Sequence, residues 1–181
     1  MVTATFSFFL CSCATSTYKD FKVSQVVENE GVAIGKVNIK YNGKDSNKEC
    51  FVCLDSVNGP CQKLTEEGFV FLNTSKGAAS IRRIACKDTS MQHYNIEGAN
   101  FTQSDGVTYF GNVDIAWTND GGFKASTMFG AVGAMISESN NDGTINMACS
   151  PGKMSEVVAA YEQQTKQTAV QATKSIVKAG K

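Results

Sequence analysis

Alternation of apolar and polar residues is the feature that most restricts this chain. Across residues 32–41, Ala33, Gly35, Val37, Ile39 and Tyr41 fall on one side, and Lys36, Asn38 and Lys40 on the other. Side chains of an extended backbone point alternately to opposite faces, so a period of two predicts a strand with one buried face. Asn42-Gly43 closes it, a dipeptide that accepts positive φ in a tight turn. Residues 107–117 repeat the pattern, with Val107, Tyr109, Val113, Ile115 and Trp117 on one face against Thr108, Asn112 and Asp114. Between them lie an apolar, β-branched stretch at 50–55 that ends in Asn58-Gly59-Pro60, and two strands at 68–73 and 79–86. The last two flank Thr74-Ser75-Lys76-Gly77 and read as a hairpin-like pair joined at Gly77. A final strand covers 144–149 after Asn141-Asp142-Gly143. Short strands separated by turn signals predict a mainly-β fold, an antiparallel β-sandwich.

Two segments read as helical. Residues 125–138 are mostly apolar behind Ser126, and Gly130 and Gly133 let such a helix lie close on a sheet. Pro151 stands where a helix can begin, and Met154, Val158, Tyr161, Val170, Ala172 and Ile176 follow at partial helical spacing. This predicts a C-terminal helix within 151–181, docked by its first turns, with a basic end at Lys174, Lys178 and Lys181. That helix is also the candidate contact for an envelope protein partner. With 181 residues the chain suits one domain: a sandwich over 32–150, preceded by a tether and first strand at 13–31.

Seven cysteines bear on the compartment. Cys50, Cys53, Cys61 and Cys86 lie within 37 positions, and Cys149 stands apart. Two disulfides among the four is the leading reading, with three connectivities open and an oxidising compartment implied. The alternatives are a four-thiolate zinc site or a Cys50-Phe51-Val52-Cys53 redox pair. Geometry disfavours both. Positions three apart in a strand face opposite ways, and redox pairs sit at a helix N-terminus, whereas residues 55–60 read as a turn. Cys149 is left as a buried small hydrophobe or a reactive thiol.

Residues 1–13 are uncharged, apolar and aromatic, and then turn polar. Leu10-Cys11-Ser12-Cys13 resembles a bacterial lipoprotein lipobox, with an aliphatic residue at −3, a small one at −1 and the acceptor cysteine at +1. The resemblance implies removal of a signal peptide at 1–12, a thioether-linked diacylglyceryl group on Cys13 and an acylated new amine. The partner would then be a lipid bilayer, held by two or three acyl chains, since a single chain anchors only marginally. Ala14 follows the acceptor, which under enteric-type sorting implies the outer membrane. The other readings of this stretch are a buried N-terminal strand, an apolar tail and a plain secretory signal.

A second resemblance lies in the body. Gly35-Lys36-Val37 opens one strand, and Leu64-Thr65-Glu66-Glu67-Gly68-Phe69-Val70-Phe71 leads through Gly77 to Ala79-Ser80-Ile81. This is similar to the carboxypeptidase-regulatory-like (prealbumin-like) β-sandwich over roughly residues 32–86. It implies a non-catalytic accessory or scaffold domain.

Chemistry is sparse. Seventeen basic residues balance seventeen acidic ones, which removes the attraction that nucleic-acid binders use. His93 is the one histidine, and no nucleophile elbow, phosphate-cradling glycine loop or H-E-x-x-H motif occurs. No catalytic residue, metal or cofactor is assigned. Arg82-Arg83 lies mid-strand, so one arginine faces solvent and the other needs a partner, with Asp55 or Asp114 as candidates. The expectation is a membrane-anchored, non-catalytic binding or structural module of the cell envelope.

Overall fold

Two parallel strands, β1 (Glu30–Tyr41) and β8 (Val107–Thr118), form the centre of the first sheet, with Val32 opposite Val107 and Tyr41 opposite Trp117. The structure is a computed structural model and describes residues 30–54, 61–87, 91–119 and 143–178. The outer neighbours of the central pair change halfway along it. β1 is flanked by β5 (Phe69–Ser75) over its first half and by the two-residue β2 (Lys44–Asp45) at its end. β8 is flanked by β10 (Ala172–Lys174) at its start and by β9 (Thr144–Ser150) over its second half. The second sheet has the order β4 (Cys61–Lys63), β3 (Cys50–Leu54), β6 (Gly77–Lys87), β7 (Met91–Gln103), all antiparallel. This is the mainly-β, sandwich-like arrangement that the alternation predicts. Within it the β1–β8 and β8–β10 pairs run parallel.

The alternation of β1 is realised as read. Ala33, Val37, Ile39 and Tyr41 face the second sheet, among Val52, Leu54, Ile81, Ile84 and Trp117, while Lys36, Asn38 and Lys40 face the other way. Asn42 (φ 50°) and Gly43 (φ 77°) make the turn. In β8 the single face expected for Val107, Tyr109, Val113, Ile115 and Trp117 is corrected. The register with β1 slips between Ile34 and Gly35, so that Ile34 faces Tyr109 and Gly35 faces Gly111. The extra residue, Phe110, turns into the sandwich with Val113, Ile115 and Trp117. Tyr109 stays on the far side with Val32, Ile34 and Phe71. One bulge therefore gives the strand two buried faces in succession.

That far side is where α1 (Met154–Thr165) packs, through Val157 and Tyr161. Tyr161 meets Phe71 edge-on at 5.5 Å between ring centroids, and the Tyr109 hydroxyl donates to the Pro151 carbonyl at 2.7 Å. Burial raises the Tyr161 phenol pKa. Burial first and then Glu156 raise that of Tyr109, so both keep their protons through the neutral range. Lys36 pairs with Glu156 at 3.2 Å at the rim. The helix is shorter than the sequence spacing suggests. It ends at Thr165, with Lys166 left-handed (φ 57°), and the Glu162 carboxylate accepts from the Val170 amide at 2.7 Å. Val170, Ala172 and Ile176 still join the helix-side cluster, from the segment that returns to β8. Lys174 belongs to β10 and Lys178 bridges to Asn100, so neither sits on a helix end. Lys181 and the helix expected at 125–138 lie outside the described residues.

The expected hairpin at Gly77 is also corrected. β5 pairs with β1 in the first sheet and β6 with β3 and β7 in the second, so Lys76-Gly77 is a corner between sheets. Gly77 (φ 115°) supplies the backbone conformation the corner needs.

Gly35 is the position on which the bulge closes. A methyl group there would fall within the Phe110 ring, which is fully buried. Gly35→Ala is expected to lower the unfolding free energy in urea by about 1–3 kcal/mol, the usual cost of overpacking a filled core. Adding Phe110→Leu should recover part of that loss.

Candidate functional site: paired cysteines and an open sheet face

The four clustered cysteines form two disulfides, Cys50–Cys86 and Cys53–Cys61. Each joins residues directly opposite one another on neighbouring antiparallel strands: Cys50 faces Cys86 between β3 and β6, and Cys53 faces Cys61 between β3 and β4. Strand geometry selects these two from the three connectivities. Cys50 and Cys53 project to opposite faces, so they bond neither to each other nor to one shared ion. Cys50 and Cys86 lie in the core between the sheets. Cys53 and Cys61 lie on the reverse face of the second sheet and are nonetheless buried.

Arg83 completes the reverse-face row. It sits directly across from Cys53 on β6, is only 8% exposed, and directs Nη2 toward Cys61 Sγ at 3.7 Å. Its Nε is buried without a hydrogen-bond partner. Arg82 is exposed, and it is the residue skipped where β6 slips register between Ile81 and Arg83 against both β3 and β7. Among the described residues no carboxylate pairs with Arg83. Asp114 instead accepts from Asn38 at 2.7 Å, and Asp55 lies outside the described residues. Next to Cys61 on β4, the buried Gln62 accepts the Phe71 amide through Oε1 at 2.7 Å and so ties the edge of the second sheet to β5 of the first. The Arg82-Arg83 doublet signalled a buried arginine. Nothing local in the sequence signalled that a sulfur, not a carboxylate, would face it.

Cys149 lies on β9 opposite Val113, half-buried and unbonded. Burial, and secondarily the Asp114 carboxylate, push its thiol pKa up, which keeps it protonated and sluggish at neutral pH. His93 lies half-buried in β7 opposite Ala85. Among the described residues no group of three or more His, Cys, Asp or Glu side chains gathers.

The half of the first sheet that α1 leaves uncovered forms a shallow groove of about 440 Å³. Its floor consists of two rows across β1, β8 and β9: Asn38, Asp114 and Ala148, then Lys40, Ala116 and Asn146. The small alanines create the depth, and the Asn38–Asp114 hydrogen bond fixes the centre. Cys13 and the lipobox-like residues lie outside the described residues.

Removing the two disulfides separately should cost unequal stability. Loop-closure entropy for the sequence separations of 36 and 8 gives about 4 kcal/mol for Cys50→Ala/Cys86→Ala and about 2.5 kcal/mol for Cys53→Ala/Cys61→Ala, readable in urea unfolding of the double variants. Alkylation of Cys149 by iodoacetamide at pH 7 should run slower than that of a free peptide cysteine, and Asp114→Asn should speed it. Comparison of the chain with protein-family models, with curated proteins and with solved structures gives no match.

Proposed function

We propose that this chain is an exported, lipid-anchored module of a bacterial cell envelope, with a binding or structural role and no bond-making of its own. The observation that carries the reading is the pairing of all four clustered cysteines. Two cross-strand disulfides persist in an oxidising compartment and are reduced in most cytosols. Export needs an address, and the lipobox-like Leu10-Cys11-Ser12-Cys13 supplies one that also gives Cys13 a role. Cys13 is the lipidated residue in this reading, and the outer membrane the destination. The resemblance of residues 32–86 to carboxypeptidase-regulatory-like sandwiches supports an accessory or scaffold role. The zinc alternative would require Cys50, Cys53, Cys61 and Cys86 as free thiolates on one side of a strand. Their pairing on two faces of the second sheet favours the disulfide reading.

Intact mass of the protein extracted from membranes tests this. The expected result is loss of residues 1–12, a diacylglyceryl and acyl increment on Cys13, and four fewer hydrogens than the thiol form of the body. Full-length, unacylated protein in the soluble fraction with every cysteine reduced would overturn it.

A further inference from the structure

We propose that Cys53–Cys61 is an exchangeable disulfide, opened by an external dithiol while Cys50–Cys86 stays closed, with Cys61 leaving as a thiolate on the Arg83 guanidinium. The argument rests on what surrounds each bond. Among the described residues, Arg83 is a nearly buried cation whose one polar side-chain hydrogen bond goes to a sulfur atom, whose Nε has no partner, and which no carboxylate faces. A desolvated cation without a counter-ion is unfavourable, and a neutral disulfide does little to relieve it. A thiolate at Cys61 relieves it directly. The reduced state therefore gains an ion pair that the oxidised state lacks, and the same cation stabilises the leaving group during exchange. Cys50–Cys86 sits in the apolar cluster between the sheets, and the residue directly across from Cys86 on β7 is the uncharged Gln92.

Access points the same way. Among the described residues, β4 is a three-residue edge strand paired with β3 alone, and strands of that kind open locally more readily than central ones. Cys50 and Cys86 join two inner strands of the second sheet. In the exchange, one thiolate of the dithiol attacks Cys53 Sγ to form a mixed disulfide. The Cys53–Cys61 bond breaks, and its electron pair leaves on Cys61. The second thiol of the reagent, deprotonated to solvent, then closes on its partner sulfur and expels Cys53 as a thiolate, which takes up a proton. The reagent is oxidised to its cyclic disulfide by two electrons, and the protein is reduced by two. Opening frees β4 from its covalent tether, and with it the Gln62 hold on the Phe71 amide. Thiol state is thereby coupled to the edge where the two sheets meet.

The test is graded dithiothreitol on the native full chain at pH 8, with alkylation and peptide mapping of each cysteine and hydrogen exchange at the Phe71 amide. Cys53 and Cys61 should alkylate at concentrations that leave Cys50 and Cys86 bonded, and Phe71 exchange should rise in the same step. Arg83→Met should move that step to about tenfold more reagent, given the usual effect of a neighbouring opposite charge, while Arg83→Lys should stay near the wild type. Simultaneous opening of both bonds, opening of Cys50–Cys86 first, or an unchanged step in a folded Arg83→Met variant would overturn the proposal. If Arg83→Met does not fold, the order of opening in the wild type decides.

Discussion

The fold depends on the parallel pairing of β1 with β8 and on the single bulge where Phe110 enters the sandwich opposite Gly35. Before the bulge, the outward face of the pair carries Val32, Ile34 and Tyr109 and needs a cover, which α1 provides. After it, the same face carries Asn38, Lys40, Asp114 and Ala116, and no described element covers it. The inward face remains apolar throughout because the bulge returns Val113, Ile115 and Trp117 to the side of Val37 and Ile39. One inserted residue thus determines which half of the sheet is a core and which half is a surface.

The second sheet is braced differently. Its strands are held covalently at two points, one inside the sandwich and one behind it, and the two bonds have unlike neighbourhoods. Apolar packing around Cys50–Cys86 makes that bond part of the core. The Cys53–Cys61 bond shares its row with a cation, and Gln62 beside it carries the edge hydrogen bond to β5. Disulfides of equal chemistry can therefore differ in role, because the groups that receive the departing sulfur differ.

Much of this was legible from residue order. Alternation marked β1, and the opposed faces of Cys50 and Cys53 disfavoured a shared metal, while the choice among the three disulfide connectivities stayed open. Other features were not legible, for identifiable reasons. Alternation cannot report which strands pair or in which direction, so the parallel centre and the Lys76-Gly77 corner were invisible to it. A bulge keeps the odd-numbered pattern of 107–117 intact while reversing its meaning, and only the contact between Gly35 and Phe110 reveals that. The helical spacing of Val170, Ala172 and Ile176 misled because β10 brings them to the same cluster as Tyr161 by another route. Of the candidate site, the cysteines could be read in the sequence. The buried charge beside them could be suspected from Arg82-Arg83, and its sulfur neighbour could not.

The return of residues 172–178 to β8 has a consequence for how the molecule is made. Ser175 and Val177 donate their amides to Tyr109 and Phe110, and Lys178 exchanges backbone hydrogen bonds with Asn100 of β7. This segment thus stitches the two layers together. A ribosome, delivering the polypeptide from its amino end, releases the helix and this stitch only after β1, β7 and β8 have emerged. The central strand waits for its neighbour until then, and such distant pairing is slow to form.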